Sequence, residues 1–157
     1  MKYIISAGGT GGHIYPALSI IKKIKELDKK SEILYIGTTD RMEKDIVPNL
    51  GIDYVGIKMN GLTKSIKKIC GFVFNTISGV KKCKKIMKKF KPDVVIGVGG
   101  YVTVPVVLAA KSRNVKVILH EQNSIPGKAW NWSNCREACR NDPGIGKIKL
   151  IRAGKDY

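Results

Sequence analysis

The chain has 157 residues and a formal net charge of +17, from 29 lysines and arginines against 12 aspartates and glutamates. This length allows one compact domain and excludes two full ones. The sequence contains no apolar run near the roughly 20 residues that span a bilayer. The positive net charge favours an anionic partner, which could be nucleic acid, anionic lipid headgroups or a pyrophosphate substrate. The alternative is a lysine-rich proteome, which would give the same charge without any such role.

A glycine-rich segment near the amino terminus carries the strongest functional signal. Residues Gly8–His13 follow the apolar run Tyr3–Ile5 and open an apolar-periodic stretch, which predicts strand, loop and helix in that order. The first N–H groups of such a helix can face phosphate or pyrophosphate. The spacing fits neither a dinucleotide fingerprint, which would need glycine in place of Ile14, nor a Walker loop, which needs lysine after Gly12. The alternative is a glycine turn that serves only strand-to-helix packing.

His13 favours a ligand site over simple packing. It stands at the mouth of the loop, and imidazole is the side chain that most readily exchanges a proton near neutral pH. His13 could therefore move a proton close to a bound anion.

Strands and helices alternate through the first part of the chain. We predict a helix over Tyr15–Leu27, a strand over Ile33–Ile36, a short helix capped by Thr39 or Asp40 that reaches Pro48, and a strand over Ile52–Ile57. The predicted buried face of the first helix consists of Ala17, Ile20, Ile21, Ile24 and Leu27. This alternation implies a parallel sheet with right-handed crossovers and ligands at the carboxyl ends of its strands.

The segment from Lys64 to Phe90 is predicted to be mostly helical. Its predicted sheet-facing stripe consists of Ile66, Ile69, Val73, Ile77, Val80, Met87 and Phe90. Phe74 falls outside that stripe, and the same projection places it among Lys67, Cys70, Lys81 and Lys85. Such a patch fits shallow contact with an anionic membrane surface, and the alternative is a solvated lysine face with one incidental phenylalanine.

Two further loops follow strands in the second half of the chain. We predict a strand over Asp93–Ile96 that ends in the glycine turn Gly97–Gly100, a helix over Val104–Lys111, and a strand over Val115–Leu119 that ends in the polar run His120–Asn123. Carboxyl ends of parallel strands share one edge of the sheet, so both loops should converge with the first on a single cleft.

The cysteines give no sign of a metal site. Cys70, Cys83, Cys135 and Cys139 contain no C-x-x-C pair, and a zinc site would need a second ligand pair nearby. We expect neither a metal nor another cofactor.

Three motifs together resemble one enzyme family. They are Gly8–His13, Gly99–Val102, and His120–Asn123 with Pro126-Gly127, and the segments Gly37–Glu43 and Lys91–Val95 match as well. Over about Met1–Ala129 the chain is similar to the N-acetylglucosaminyltransferases of glycosyltransferase family 28. The resemblance implies an α/β domain with a Rossmann-like parallel sheet and helices on both faces, the N-terminal half of a GT-B enzyme.

The family's activity supplies the expected substrates and location. These enzymes transfer GlcNAc, with inversion, from UDP-GlcNAc to the 4-hydroxyl of MurNAc in undecaprenyl-pyrophosphoryl-MurNAc-pentapeptide, a step of peptidoglycan synthesis. The resemblance therefore implies a peripheral protein at the cytoplasmic face of the cell membrane, with UDP-GlcNAc, a lipid-linked acceptor and the anionic membrane surface as partners.

The resemblance also implies roles for single residues. His13 would be the base that takes the proton from the acceptor hydroxyl. The implied substrate-binding residues are Thr10, Gly11, Gly12, Gly99, Gly100, Tyr101, Glu121, Gln122 and Asn123. Among them Tyr101 and Glu121 would position the acceptor or handle a proton.

The last part of the chain departs from the family pattern. After Ala129 the sequence continues Trp130-Asn131-Trp132, so we assign residues 1–129 to the acceptor-binding domain and 130–157 to an atypical tail, as truncation or a frameshift would leave. We expect the chain to be inactive without a donor-binding C-terminal domain, which could act in trans. The alternative is a membrane-associated acceptor-binding subunit of a split glycosyltransferase. A nucleic-acid-binding role is supported by charge alone and leaves the three loops unexplained, so no nucleic-acid partner is expected.

Overall fold

The computed structural model describes residues 1–59, 66–121, 139–142 and 146–151, with side chains for 1–59 and 71–120. The strands are β1 (Lys2–Ala7), β2 (Glu32–Thr38), β3 (Asp53–Ile57), β4 (Val94–Gly99), β5 (Lys116–Glu121), β6 (Cys139–Asp142) and β7 (Gly146–Ile151). They form one sheet in the order β3-β2-β1-β4-β5-β7-β6. The first five strands pair in parallel, which confirms the predicted Rossmann-like sheet.

In the part of the chain that the structure describes, four helices cover both faces of this sheet. They are α1 (Gly11–Leu27), α2 (Glu43–Asn49), α3 (Ile66–Phe90) and α4 (Thr103–Ser112). Successive strand side chains point to opposite faces, so Ile4 packs in the core with α3 and α4 whereas Ile5 packs with α1 and α2. Because β1 and β4 are parallel neighbours in the sheet, the loops that follow them lie side by side at its carboxyl edge.

The last two strands were not predicted. β7 runs antiparallel to β5, pairing Val117 with Ile151 and Glu121 with Lys147, and β6 pairs antiparallel with β7. A short connection can join antiparallel strands, whereas parallel strands need a long crossover. The tail thus extends the sheet beyond β5 with a hairpin instead of another crossover unit.

The predicted bounds and faces of α1 and α2 need correction. α1 begins at Gly11, four residues before the predicted start, because the Thr10 carbonyl already accepts the N–H of Ile14 at 3.2 Å. Leu27 is 78% exposed instead of buried. α2 begins at Glu43 and follows Met42, so neither predicted residue caps it.

The predicted core-facing stripe of α3 is also wrong at its centre. Val73 and Ile77 are 46% and 53% exposed. Phe72, Thr76 and Cys83 are buried instead, whereas Met87 is buried as predicted. Phe72 meets the ring of Tyr101 edge-on, with 5.8 Å between centroids, and a Cβ at Gly79 would lie only 3.1 Å from Pro105 of α4. The face of α3 that turns inward therefore includes Gly79, where the two helices approach closely.

Candidate active site

Two glycine loops touch at the carboxyl edge of the sheet. We call Gly8–Gly12 the first glycine loop and Gly99–Val102 the second. Gly9, Gly99 and Gly100 have φ values of +96°, +115° and +86°, a region that only glycine enters without strain. A Cβ at Gly100 would collide with the carbonyl oxygen of Gly8. The two loops can therefore approach this closely only because Gly100 has no side chain.

The ring of His13 lies between the two loops. Its Nδ1 is 3.0 Å from the hydroxyl oxygen of Thr10, and its Nε2 is 2.8 Å from the point where a Cβ of Gly99 would stand. When Nδ1 carries the ring proton and donates a hydrogen bond to the Thr10 hydroxyl oxygen, Nε2 is left as a hydrogen-bond acceptor. The Thr10 side chain thus orients His13 and does not cap α1.

The start of α1 offers two backbone donors. The N–H groups of His13 and Ile14 both donate to the Thr10 carbonyl. The N–H groups of Gly11 and Gly12 precede any helical carbonyl that could accept them, and the first turn of α1 has no acidic residue. This end of the helix can therefore bind an anion.

The remaining predicted site residues divide between the described and undescribed parts of the chain. Tyr101 lies within the second glycine loop and is 36% exposed. Glu121 belongs to the backbone of β5, but its side chain lies outside the described residues, as do Gln122 and Asn123. His120 and Glu121 extend β5 instead of following it, because they pair with Ile148 and Lys147 of β7.

Sequence analysis missed one charged residue at this site. Glu43 is fully buried at the start of α2. Its Oε1 accepts hydrogen bonds from the Thr38 hydroxyl at 2.7 Å, the Thr38 N–H at 3.1 Å and the Gly9 N–H at 3.3 Å. Burial, and then the charge of Glu43, raise the pKa of Tyr35 and of Tyr54 well above the usual value, so both phenols stay protonated. Glu43 belongs to the segment Gly37–Glu43, which resembles the family but for which the sequence predicts no function.

The predicted surface patch on α3 is apolar at its centre. Phe74 is 73% exposed, and the exposed Val73 and Ile77 enlarge the apolar area beyond the prediction. Lys81 and Lys85 are exposed about two and three turns beyond Phe74. The side chains of Lys67 and Cys70 lie outside the described residues.

Neither a membrane span nor a metal cluster occurs in the part of the chain that the structure describes. Its helices are too short or too polar to cross a bilayer. Its histidine, cysteine, aspartate and glutamate side chains do not gather in threes around a common point.

A Rossmann-like domain with these adjoining glycine loops is the N-terminal domain type of GT-B glycosyltransferases. The family model described as the glycosyltransferase family 28 N-terminal domain matches residues 3–137. The chain belongs to this family.

Relatives with assigned names agree with this membership. The chain is 46% identical over 128 residues to the UDP-N-acetylglucosamine--N-acetylmuramyl-(pentapeptide) pyrophosphoryl-undecaprenol N-acetylglucosamine transferase of Natranaerobius thermophilus. It is 47% identical to the same enzyme of Finegoldia magna. Each match covers 81% of this chain and 35% of the relative, so the chain spans about a third of the length of these relatives.

Solved structures give the same result. MurG of Acinetobacter baumannii matches with a TM-score of 0.72 and 28% identity, over 84% of this chain and 38% of that one. A calicheamicin glycosyltransferase matches with a TM-score of 0.60 and 16% identity, over 80% of this chain and 32% of that one, which supports the fold alone. The resemblance inferred from the three motifs is confirmed.

Proposed function

We propose that this chain is the acceptor-side half of an inverting N-acetylglucosaminyltransferase of peptidoglycan synthesis. The observation that carries the proposal is the His13 ring, held by Thr10 between two touching glycine loops. The names of the relatives supply the substrates: UDP-GlcNAc as donor, and MurNAc-pentapeptide on undecaprenyl pyrophosphate as acceptor.

The arrangement supports separate roles for the helix start, which would bind phosphate, and for His13, which would accept the proton. The N–H groups of Gly11 and Gly12 would bind a pyrophosphate oxygen at the start of α1. His13 would accept the proton of the MurNAc 4-hydroxyl on Nε2 while Nδ1–H donates to Thr10. The acceptor oxygen would form a bond to the anomeric carbon of GlcNAc as the bond from that carbon to UDP breaks and UDP leaves with the electron pair. Attack opposite the leaving group inverts the configuration and gives a β-linkage.

Residues around this centre would position the acceptor. Tyr101 belongs to the second glycine loop and presents a partly exposed phenol. Glu121 is the last residue of β5, and Gln122 and Asn123, which follow it in the sequence, would join Tyr101 in contacting the acceptor. Most donor contacts would come from a C-terminal domain, in the same polypeptide or in trans, so we expect residues 1–157 to be inactive alone.

The proposed acceptor is lipid-linked, so the domain has to approach a membrane. The exposed residues Val73, Phe74 and Ile77 would enter the headgroup region, with Lys81 and Lys85 beside anionic lipid. This exposed surface supports contact with a membrane, and we propose that the protein is peripheral at the cytoplasmic face of the cell membrane.

Calorimetry with the purified chain tests the proposal. The ligands are UDP-GlcNAc and a soluble lipid-linked acceptor analogue, each measured with and without a supplied MurG-type C-terminal domain. We expect acceptor binding to the chain alone and GlcNAc transfer only after complementation. A folded chain that binds neither ligand, with or without the added domain, would contradict the proposal.

The role of His13 is tested in the same complemented enzyme. His13→Ala should lower turnover by roughly 10²-fold or more, because a general base contributes about that factor. Lys22→Ala, an exposed position on α1, is the control and should leave turnover unchanged. Near-normal turnover of the His13 variant would remove His13 from this role.

A further inference from the structure

A buried carboxylate lies directly beneath the first glycine loop. Glu43 is 34 residues from Gly9 in sequence, yet its Oε1 accepts the Gly9 N–H as well as both donors of Thr38. One oxygen atom thus ties the loop after β1 to the end of β2. No described residue donates a hydrogen bond to the buried Oε2.

Two glycines provide the space that this carboxylate occupies. A Cβ at Gly8 would collide with Oε1, and a Cβ at Gly37 would lie 2.8 Å from the Cγ of Glu43. Real Cβ atoms do not approach so closely. The missing side chain at Gly8 therefore serves the contact with Glu43, in addition to any approach by a ligand from the other side of the loop.

We propose that Glu43 is a positioning residue, which holds Gly9 in its left-handed conformation and thereby sets Thr10 and His13 at the start of α1. The structural part of this proposal stands on the contacts alone, and its consequence for catalysis rests on the proposed function. Gly9 has a φ of +96° and directly precedes Thr10, whose carbonyl and hydroxyl then engage His13. A displacement of Gly9 would therefore move its neighbour Thr10, and with it the hydrogen-bonded ring of His13.

The hydrogen-bond acceptor of Glu43 matters here more than its charge. A negative charge under an anion-binding loop repels the anion, so the charge by itself opposes ligand binding. An acceptor oxygen at the same place is what Gly9 and Thr38 require. Glutamine retains that oxygen and the length of the side chain, whereas aspartate retains the charge but draws the carboxylate back by about one carbon–carbon bond, roughly 1.5 Å.

Amide hydrogen exchange of the full 157-residue chain, followed by NMR, tests the proposal without any ligand. We expect Glu43→Ala and Glu43→Asp to speed exchange at the Gly9 amide by about tenfold or more, the effect of losing one such hydrogen bond. Both variants should also shift the ring ¹⁵N signals of His13. Glu43→Gln should preserve the exchange rate and the His13 signals.

The amide of Ile96 in the central strand β4 is the internal control, because a global loss of stability would speed its exchange as well. If Glu43→Ala does not fold, Glu43→Asp decides. Unchanged Gly9 exchange and His13 signals in the aspartate variant would overturn the proposal, and so would a glutamine variant that behaves like the alanine variant. These measurements stand even if the wild-type chain binds neither UDP-GlcNAc nor the acceptor, so failure of the proposed function remains distinguishable.

Discussion

At the scale of single residues, Gly100 tests the contact between the two glycine loops. Its φ of +86° and the carbonyl of Gly8 leave no room for a Cβ. Gly100→Ala should lower the free energy of unfolding by about 2 kcal/mol or more, because the left-handed conformation alone costs roughly 1–2 kcal/mol for a residue with a Cβ. Urea unfolding of the variant and the wild type measures this difference.

Gly71 provides the matched control for this substitution. It lies in α3, and a Cβ there would have no atom within 4 Å. Gly71→Ala should therefore raise the free energy of unfolding by about 0.5–1 kcal/mol, the usual gain inside a helix. Equal stability of the two alanine variants would contradict the loop contact.

The residues of the site differ in how far the sequence predicts them. Gly8–His13 and Gly99–Tyr101 are found from local pattern, because a glycine cluster between a strand and a helix has few structural uses. Glu43 could not be found this way. Charged residues are expected at the surface, and its partner Gly9 lies 34 positions away in the chain.

At the scale of elements, periodicity predicts that α3 has an apolar stripe but not which of two neighbouring stripes faces the sheet. Both Phe72 and Val73 belong to plausible stripes, and the stripe of Phe72 is the one that is buried, on a helix that packs closely against Pro105 at Gly79. That contact joins two helices, so no local pattern contains it. The same rotation leaves Val73 and Ile77 on the surface next to Phe74.

This exposed apolar surface predicts a measurable membrane affinity. Phe74→Asp should weaken binding to anionic vesicles by roughly tenfold or more, because burying a phenylalanine side chain contributes about 1.5–3 kcal/mol. Leu27→Asp on α1 is the matched control: Leu27 is 78% exposed, against 73% for Phe74. Vesicle sedimentation compares the two variants. Equal binding by both variants, or no loss in the Phe74 variant, would show that this face of α3 is simply solvated and does not bind membranes.

At the scale of the whole molecule, the five parallel strands follow from the alternation of strands and helices, whereas the last two do not. Each parallel strand is a short apolar run before a polar loop, a pattern that sequence predicts well. β7 is the polar–apolar sequence GKIKLI, and it pairs with β5 residues far earlier in the chain, from Glu121 with Lys147 to Val117 with Ile151. The pairing of β7 depends on an open edge of the finished sheet, which no local pattern records.

That edge gives the hairpin a testable role. Five residues of β5, Val117–Glu121, pair with β7, so removal of residues 138–157 would leave an apolar strand edge that can pair with other chains. We expect this truncation to lower the free energy of unfolding by about 2 kcal/mol or more, from ladder bonds worth roughly 0.5–1.5 kcal/mol each, and to increase light scattering. Removal of residues 152–157 alone, which leaves β7 intact, is the control and should change neither quantity. A truncated chain that is monomeric and as stable as the full chain would show that β5 tolerates an open edge, and the hairpin would then contribute nothing to the stability of the domain.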